Sequence, residues 1–427
     1  MPQIAQGISQ WAGPAQRAVV LTLDTPHHDY EESLAELRAL AVTARVDLLT
    51  VVTQRRDRHD PSFFVGRGKS REASEVAKTL GAELIVVDAD LSPRQQRNLE
   101  EQTDLPVIDR PGLILDIFAR RAKSNEGKIQ VELAQLEYLL PRLVGHGTML
   151  SRLGAGIGTR GPGETKLEVD RRRLRDRIRH LRTELKKVQS HRALLRAGRD
   201  RMRMPVVSLV GYTNAGKSTL LNALSGSEVF VEDRLFATLD PTTRKVMLAG
   251  GAEVLLTDTV GFIRDLPPLL VAAFRATLEE VVESDVLVHV IDYANPLWRE
   301  QVEAVNRVLA DLGAVGKPVV AAFNKMDRVV EYSGRLPILD GVASSVAISA
   351  RTGDGLDALR LAISQALRLR WERLQVIIPY DHGELINLAH ERGRVLAEEY
   401  GMKGVAVSVE VPGELLERFR PYIEPAA

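Results

Sequence analysis

Short apolar runs alternate with amphipathic stretches over residues 18–122. The runs are rich in β-branched residues, which favours buried parallel strands, and the stretches between them have helical spacing. The four predicted strands are 18–23, 46–52, 82–88 and 105–109. This pattern predicts a small parallel α/β domain, which we place at residues 1–124.

Two apolar seams with heptad spacing follow this region. The first comprises Ile129, Leu133, Leu136, Leu140 and Leu143, and the second Leu167, Leu174, Ile178, Leu181, Leu185 and Val188. They predict two helices packed antiparallel as a hairpin, at residues 125–202. Between the seams, residues 145–164 contain seven glycines, so this tip cannot form a packed core by itself.

The alternation of strands and helices resumes after residue 203 and predicts a doubly wound sheet over residues 203–371. Its predicted strands are 206–210, 245–249, 253–258, 286–292, 318–324 and 346–349. We expect 253–258 to be the strand that is antiparallel or at an edge. Residues 372–427 read as a strand (374–379), a helix, a strand (405–411) and a short helix, which indicates a small α+β domain. The expected fold class is therefore multidomain α/β.

Composition narrows the class of protein. The chain has 427 residues and no cysteine, so it holds neither disulfides nor cysteine-ligated metals. It lacks both a run of about 18 apolar residues and a signal-peptide pattern. We expect a cytoplasmic monomer. The net charge is zero, but residues 152–203 carry 17 basic and 6 acidic residues, a net charge of +11, which points to a polyanionic partner.

Four segments between residues 211 and 350 have the order and spacing of a guanine-nucleotide switch: G-Y-T-N-A-G-K-S (211–218), D-T-V-G (258–261), N-K-M-D (324–327) and S-A (349–350). In the first, the glycines let backbone amides surround phosphates at a helix N-terminus. The predicted nucleotide-binding residues are Gly211, Tyr212, Thr213, Asn214, Ala215, Gly216, Lys217, Ser218, Thr219, Asp258, Gly261, Asn324, Lys325, Asp327, Ser349 and Ala350.

A magnesium site is expected beside the phosphates. Ser218 can ligate the ion directly, and Asp258, 41 residues after Lys217, can hold it through water. A third ligand must come from the first switch, where we assign Thr238, with Thr242 and Thr243 as alternatives.

Asp327 is expected to select guanine, because its carboxylate can accept hydrogen bonds from N1–H and the exocyclic amine, which adenine does not offer together. Asn324 can donate to N7 or O6 of the base, while Ser349 and Ala350 support it from a second loop. GTP is therefore the expected nucleotide.

The catalytic residues are predicted to be Lys217, Thr238, Gly261 and Asn214. Ras-like switches place a water-orienting glutamine after D-x-x-G, but this chain has Phe262, which cannot orient water. Asn214 is a candidate to compensate by holding K⁺ near the β/γ bridge. The alternative is an asparagine that caps its own turn.

Several segments resemble the HflX family of ribosome-associated GTPases. The most specific is G-I-G-T-R-G-P-G-E-T-K-L-E-V-D-R-R-R (156–173). Also similar are F-V-G-R-G-K (64–69), D-R-P-G-L-I-L-D-I-F-A (109–119), L-F-A-T-L-D-P-T (235–242) and D-T-V-G-F-I-R-D-L-P (258–267). The resemblance supports Thr238 and implies a factor that binds the large ribosomal subunit and splits stalled or idle ribosomes under stress.

Arginines crowd the glycine-rich tip and the second hairpin helix. The candidates for RNA contact are Arg160, Arg171, Arg172, Arg173, Arg175, Arg177 and Arg179. Arginine favours bidentate phosphate contacts, although charge runs are also typical of a solvated helix face. Two other functions stay open: an Obg-like assembly GTPase of the large subunit, and an RNA-binding protein with a structural nucleotide.

Overall fold

A computed structural model describes the chain except for several segments. These are residues 1–14, 27–28, 144–165, 200–203, 227–234, 237, 250, 265–277, 279, 315, 330–333, 369–370, 413–414 and 424–427. The described residues form three sheets of four, six and three strands. The multidomain α/β class expected from the sequence is confirmed, whereas the domain limits at 124, 202 and 371 stay predictions.

The first sheet contains the four strands expected in the N-terminal region. They are β1 (Gln16–Asp24), β2 (Val46–Arg55), β3 (Leu84–Val87) and β4 (Val107–Asp109). All are parallel, in the order β2-β1-β3-β4. Four helices accompany them: α1 (Tyr30–Ala44), α2 (Arg67–Leu80), α3 (Pro93–Thr103) and α4 (Arg110–Arg121). The side chains of β1 alternate between two apolar cores. Ala18 and Val20 pack in one core, and Val19 and Leu21 pack in the other.

Helices α5 (Asn125–Arg142) and α6 (Lys166–Arg199) pack along the predicted seams. Ile129 and Leu133 of α5 are buried against Ile178 and Leu181 of α6. Two ion pairs flank this contact, Glu132 with Arg177 at 2.7 Å and Glu137 with Arg182 at 2.7 Å. The predicted packing of the two helices along their apolar seams is therefore observed, whereas the antiparallel direction of the hairpin stays a prediction.

The second sheet surrounds the nucleotide motifs. Its strands are β5 (Val206–Gly211), β6 (Thr242–Met247), β7 (Glu253–Asp258), β8 (Val286–Asp292), β9 (Val319–Asn324) and β10 (Ser344–Ala347). Their order is β10-β9-β8-β5-β7-β6. Helices α7 (Lys217–Ser225), α8 (Trp298–Asp311) and α9 (Leu356–Arg368) pack on it.

The expected position of strand 253–258 was wrong. This strand, β7, is interior and parallel to β5, and the antiparallel edge strand is β6. A tight turn joins β6 to β7, with Leu248 N–H donating to Ala252 O at 2.8 Å. Such a short connection permits only an antiparallel hairpin.

The third sheet lies near the C-terminus and contains a strand that the sequence analysis missed. Its strands are β11 (Trp371–Ile378), β12 (Arg394–Gly401) and β13 (Gly404–Pro412), with helices α10 (Gly383–Arg392) and α11 (Leu416–Phe419). All strand pairs are antiparallel, in the order β11-β13-β12. The missed strand is β12, an edge strand whose apolar residues Val395, Leu396 and Ala397 are followed directly by Glu398 and Glu399, so it lacks the longer apolar pattern by which the other two were found.

One apolar core continues from the N-terminal sheet into the nucleotide-binding region. Phe118 of α4 packs edge to face on Phe236, with ring centroids 4.7 Å apart. Phe262 and Ile263 are buried in the same core. The N-terminal region therefore contacts both segments that flank the expected magnesium site. No helix in the described part of the chain is long and apolar enough to cross a membrane.

Candidate nucleotide-binding site

The phosphate loop runs from the end of β5 to the start of α7, and its glycines are required by close contacts. A Cβ atom on Gly211 would lie 2.3 Å from Val290 O, and one on Gly216 would lie 2.3 Å from Asn324 Nδ2. Both glycines, at φ 152° and 98°, have backbone angles that other residues rarely adopt. Asn214 also has a positive φ, 60°. The loop therefore opens α7 in the geometry expected for phosphate binding.

Lys217 begins α7 and is buried under this loop. Its Nζ donates to Gly211 O at 3.0 Å and to Tyr212 O at 2.9 Å. Burial lowers the pKa of Lys217 to about 8, against the opposing effect of the Asp258 charge. An ammonium group that burial disfavours would be stabilised by an anion, and a triphosphate supplies one.

Three oxygen atoms converge where the magnesium ion is expected. Asp258 Oδ2 accepts hydrogen bonds from Ser218 Oγ at 2.6 Å and from Thr238 Oγ1 at 2.9 Å, and the two hydroxyl oxygens are 2.8 Å apart. Adjacent ligands of an octahedral Mg²⁺ bound at ~2.1 Å lie about 3 Å apart. The spacing of the three oxygens therefore suits this ion.

The other carboxylate oxygen of Asp258 also favours a cation. Among the described residues, Asp258 Oδ1 is buried and has no hydrogen-bond partner. Burial raises the pKa of Asp258, although Lys217 and the two hydroxyls act in the opposite direction. A cation beside Asp258 would oppose this effect of burial and keep the carboxylate ionised.

The first switch, defined here as residues 235–243, presents Thr238 to this cluster rather than its alternatives. Thr242 and Thr243 lie in β6, where Thr243 Oγ1 is 2.9 Å from Thr257 Oγ1. The structure therefore places the hydroxyl that the sequence analysis assigned beside Ser218 and Asp258.

The second switch, residues 258–264, is joined to the phosphate loop through the backbone. Thr213 N–H donates to Phe262 O at 2.7 Å, and Phe262 N–H donates to Gly211 O at 3.1 Å. A Cβ atom on Gly261 would lie 2.8 Å from Thr213 Cα and 3.1 Å from Lys217 Nζ. Gly261 therefore lies directly over the phosphate loop.

The side chain of Phe262, which follows D-x-x-G, lies in an apolar environment. It is 2 % exposed and packs in the core that the nucleotide-binding region shares with the N-terminal sheet. Its role in this structure is to hold the second switch against that core.

The residues expected at the base converge at the ends of β9 and β10. Asp327 Oδ1 accepts a hydrogen bond from Ser349 Oγ at 2.7 Å. This bond is the main reason why the pKa of Asp327 is lowered. Asp327 therefore stays ionised as the acceptor that guanine requires.

Asn324 has a role that the sequence analysis missed. Its Nδ2 donates to Ala215 O at 2.8 Å and its Oδ1 accepts from Ala350 N–H at 2.9 Å. It thus links the phosphate loop to the second base loop. Lys325 similarly pairs with Asp292 at 2.6 Å, and Asp292 is a residue that no motif identified.

The arginines proposed for RNA contact differ in their surroundings. Arg160 lies outside the described residues. Arg177 makes two hydrogen bonds to Glu132, at 2.7 and 2.9 Å, so it connects α6 to α5. Arg175 and Arg179 are exposed and line a groove between these helices. Three further candidates lie on the first described turns of α6, namely Arg171, Arg172 and Arg173.

Three family models match the chain in succession. They are described as "GTP-binding GTPase N-terminal" (residues 31–119), "GTP-binding GTPase Middle Region" (residues 121–199) and "50S ribosome-binding GTPase" (residues 206–325). Together they cover β2 to β4 of the first sheet, helices α5 and α6, and β5 to β9 of the second sheet.

Curated relatives are similar over nearly the whole chain. A protein named "GTPase HflX" from Caldanaerobacter subterraneus subsp. tengcongensis is 47% identical over 416 residues, which covers 97% of this chain and 96% of that protein. Its namesake from Escherichia coli is 44% identical over 381 residues, 89% of each chain. Among solved structures, a GTP-binding protein from Sulfolobus solfataricus in complex with GDP is 24% identical, with a TM-score of 0.44 and coverage of 82% of this chain and 98% of that one.

Proposed function

Because this chain belongs to the HflX family of GTPases, we propose that it binds the large ribosomal subunit and splits stalled or idle ribosomes under stress. Membership of this family and the match to a GTPase model support GTP hydrolysis as the activity of this chain. The single observation that carries the ribosomal role is the match of residues 206–325 to the model described as a 50S ribosome-binding GTPase. We place the protein in the cytoplasm, in part on ribosomes, and expect it to act as a monomer.

Hydrolysis in this site depends on positioning and charge. Lys217 and the loop amides would hold the phosphates, and the Gly261 N–H would contact the γ-phosphate. Mg²⁺ on Ser218, Thr238 and Asp258 would neutralise charge that develops on the phosphate oxygens. Phe262, buried in the core, stands where Ras-like switches have the glutamine that orients the attacking water. Intrinsic turnover is therefore expected to be slow, about 10⁻⁴–10⁻² s⁻¹, until ribosomes order the switches.

A potassium ion is the candidate that would add positive charge near the bridging oxygen. Asn214, in the phosphate loop, is the residue that would hold it; it is exposed and has a left-handed backbone. Turnover in K⁺ should exceed turnover in Na⁺ by at least about tenfold, and Asn214→Ala should remove the difference. Equal rates in the two salts would leave Asn214 as a turn residue.

The basic helix α6 is the proposed contact with ribosomal RNA. Its exposed arginines lie on a helix that packs on α5. Helix α5 in turn packs on the N-terminal region, and that region contacts both switches. Nucleotide state and RNA contact can therefore influence each other.

Sedimentation of ribosomes tests the proposal. The full chain with GTP or a non-hydrolysable analogue should convert intact ribosomes into subunits and remain on the large one, and with GDP it should not. Lys217→Ala should lose both effects, whereas Arg418→Glu, an exposed change near the C-terminus, should keep them.

Other outcomes select the other functions. Binding to free large subunits without splitting of intact ribosomes would favour an Obg-like assembly GTPase. If the affinity for RNA is the same with GTP and GDP, and ribosomes do not stimulate turnover, the nucleotide has a structural role.

A further inference from the structure

The carboxylate of Asp240 connects the first switch to the base of helix α5. Asp240 Oδ2 accepts from the backbone N–H groups of Lys123 and Ser124, each at 2.8 Å. Its Oδ1 accepts a short hydrogen bond from Ser124 Oγ. One side chain of the switch thus receives three donors from the chain just before α5.

The start of α5 is shaped around this carboxylate. Ser124 is the N-cap of α5, and its Oγ accepts from Gly127 N–H at 2.9 Å. A Cβ atom on Gly127 would lie 2.5 Å from Asp240 Oδ1. Gly127 is not at a positive φ, so its lack of a side chain is explained by the nearness of Asp240. A negative charge here is also favoured by the helix dipole of α5.

Asp240 is only two residues from Thr238, and between them Leu239 is buried in the core shared with α4. Thr238 contacts Ser218 and Asp258, and Asp240, two residues later, contacts Ser124. The short segment between them therefore joins the magnesium cluster to the start of α5. If the switch withdrew Thr238 by several ångströms, Asp240 could not keep all three donors. The two contacts therefore belong to the same conformation of the switch.

We propose that Asp240 is a positioning residue that holds Thr238 in the magnesium-binding conformation and reports that conformation to α5. γ-Phosphate and Mg²⁺ order the first switch in GTPases, and hydrolysis releases it. Contacts made only in the ordered state strengthen GTP binding and, by reciprocity, GTP strengthens those contacts. The inference rests on the proposed role of Thr238 as a magnesium ligand.

Nucleotide affinities of the full chain, without ribosomes, test this coupling. Competition against a fluorescent nucleotide in Mg²⁺ would give Kd values for a non-hydrolysable GTP analogue and for GDP. Asp240→Asn should weaken binding of the analogue about tenfold, because the charge and one of the two acceptor oxygens are lost, while GDP binding changes by less than about twofold. Ser124→Ala should act in the same direction more weakly, and the double variant should be no worse than Asp240→Asn alone.

Amide exchange provides a second readout on the donors themselves. In the wild type, the Lys123 and Ser124 amides should exchange more slowly with the analogue than with GDP, and Asp240→Asn should remove this difference. Glu253→Gln is the matched control, because it removes an exposed pair with Lys245 in the hairpin that follows the switch and should change neither readout.

Thr238→Ala separates this inference from the role of Thr238. Loss of the preference for the analogue in Thr238→Ala but not in Asp240→Asn would overturn the coupling alone. An unchanged preference in Thr238→Ala would overturn the magnesium role and the coupling with it. Equal weakening of GDP and analogue by Asp240→Asn would mean a merely structural contact. If Asp240→Asn fails to fold, Ser124→Ala and the exchange measurement decide.

Discussion

The hydroxyl of Tyr212, in the phosphate loop, donates a hydrogen bond to Glu36 on helix α1 of the N-terminal region. The same hydroxyl accepts from Arg264 N–H of the second switch at 2.7 Å. Glu36 in turn pairs with Arg110, which is 2.9 Å from Asp88. The Tyr212 hydroxyl therefore links the phosphate loop, the second switch and the N-terminal region. A displacement of any one of them should disturb the hydrogen bonds that join it to the other two.

Phe262→Gln should fail to create a Ras-like water-orienting residue. Because Phe262 is buried in the shared core, the change places an amide among apolar side chains and removes an aromatic ring. We expect a loss of about 3 kcal/mol in the free energy of unfolding and no gain in turnover. Urea denaturation and single-turnover hydrolysis measure the two effects, with Phe262→Leu as the milder control. A tenfold faster Gln variant would contradict the structural role.

Asp327→Asn should shift the preference from GTP toward xanthosine triphosphate. The amide cannot accept both guanine hydrogen bonds, and an unpaired donor at the base costs about 3 kcal/mol, or roughly a hundredfold in affinity. Calorimetric titration with both nucleotides tests this. Asp340→Asn, an exposed carboxylate of the same region, should leave both affinities unchanged. Retention of wild-type GTP affinity in Asp327→Asn would refute the base assignment.

Arg175→Glu combined with Arg179→Glu should weaken binding to large subunits and flatten its salt dependence. Each lost phosphate contact reduces the slope of log K against log salt by about 0.9, so the pair should lower it by about two. Filter binding at several salt concentrations would measure the slope, with Arg418→Glu as control. Wild-type slopes in the double variant would place the RNA contact elsewhere.

His289 should make the nucleotide-free protein less stable in acid. It is 3 % exposed in β8. Burial, together with the Lys217 charge, lowers the pKa of His289 to about 4, whereas an unfolded histidine titrates near 6.5. Above pH 6.5 both states are neutral and the residue adds no pH dependence. As the pH falls from 6.5 to 4, the unfolded state binds the proton first, and stability drops by up to about 3 kcal/mol.

Urea unfolding at pH 7, 6 and 5 checks this effect. In His289→Leu the decline between pH 7 and 5 should be shallower than in the wild type. Parallel declines in the two proteins would show that other groups cause it.

The parallel core strands and the spacing of the nucleotide motifs could be predicted because both appear as short local patterns in the sequence. The strands β1, β5 and β8 are mostly apolar, with single polar residues such as Ser208 and His289. Gly211 and Gly216 were found from the motif, although the contacts that require them are with Val290 and Asn324 on neighbouring strands. The family resemblance was confirmed by relatives that match nearly the whole chain.

Features that depend on distant partners were missed. Nothing near Asn324 in the sequence indicates that it bonds to Ala215 and Ala350. Nor does the charge run of α6 show that Arg177 is committed to Glu132 while Arg175 faces solvent. The edge strand β12, with only a short apolar run, is formed by pairing with β13. The burial of Phe262 requires a neighbouring region whose docking no short motif encodes.

The close approach of Gly127 to Asp240 has a consequence for how such chains diverge. A methyl group at position 127 and a carboxylate at position 240 cannot occupy the space that they share here. In homologous chains these two positions should therefore change together: where alanine or a larger residue replaces the glycine, the acidic residue should have been exchanged as well.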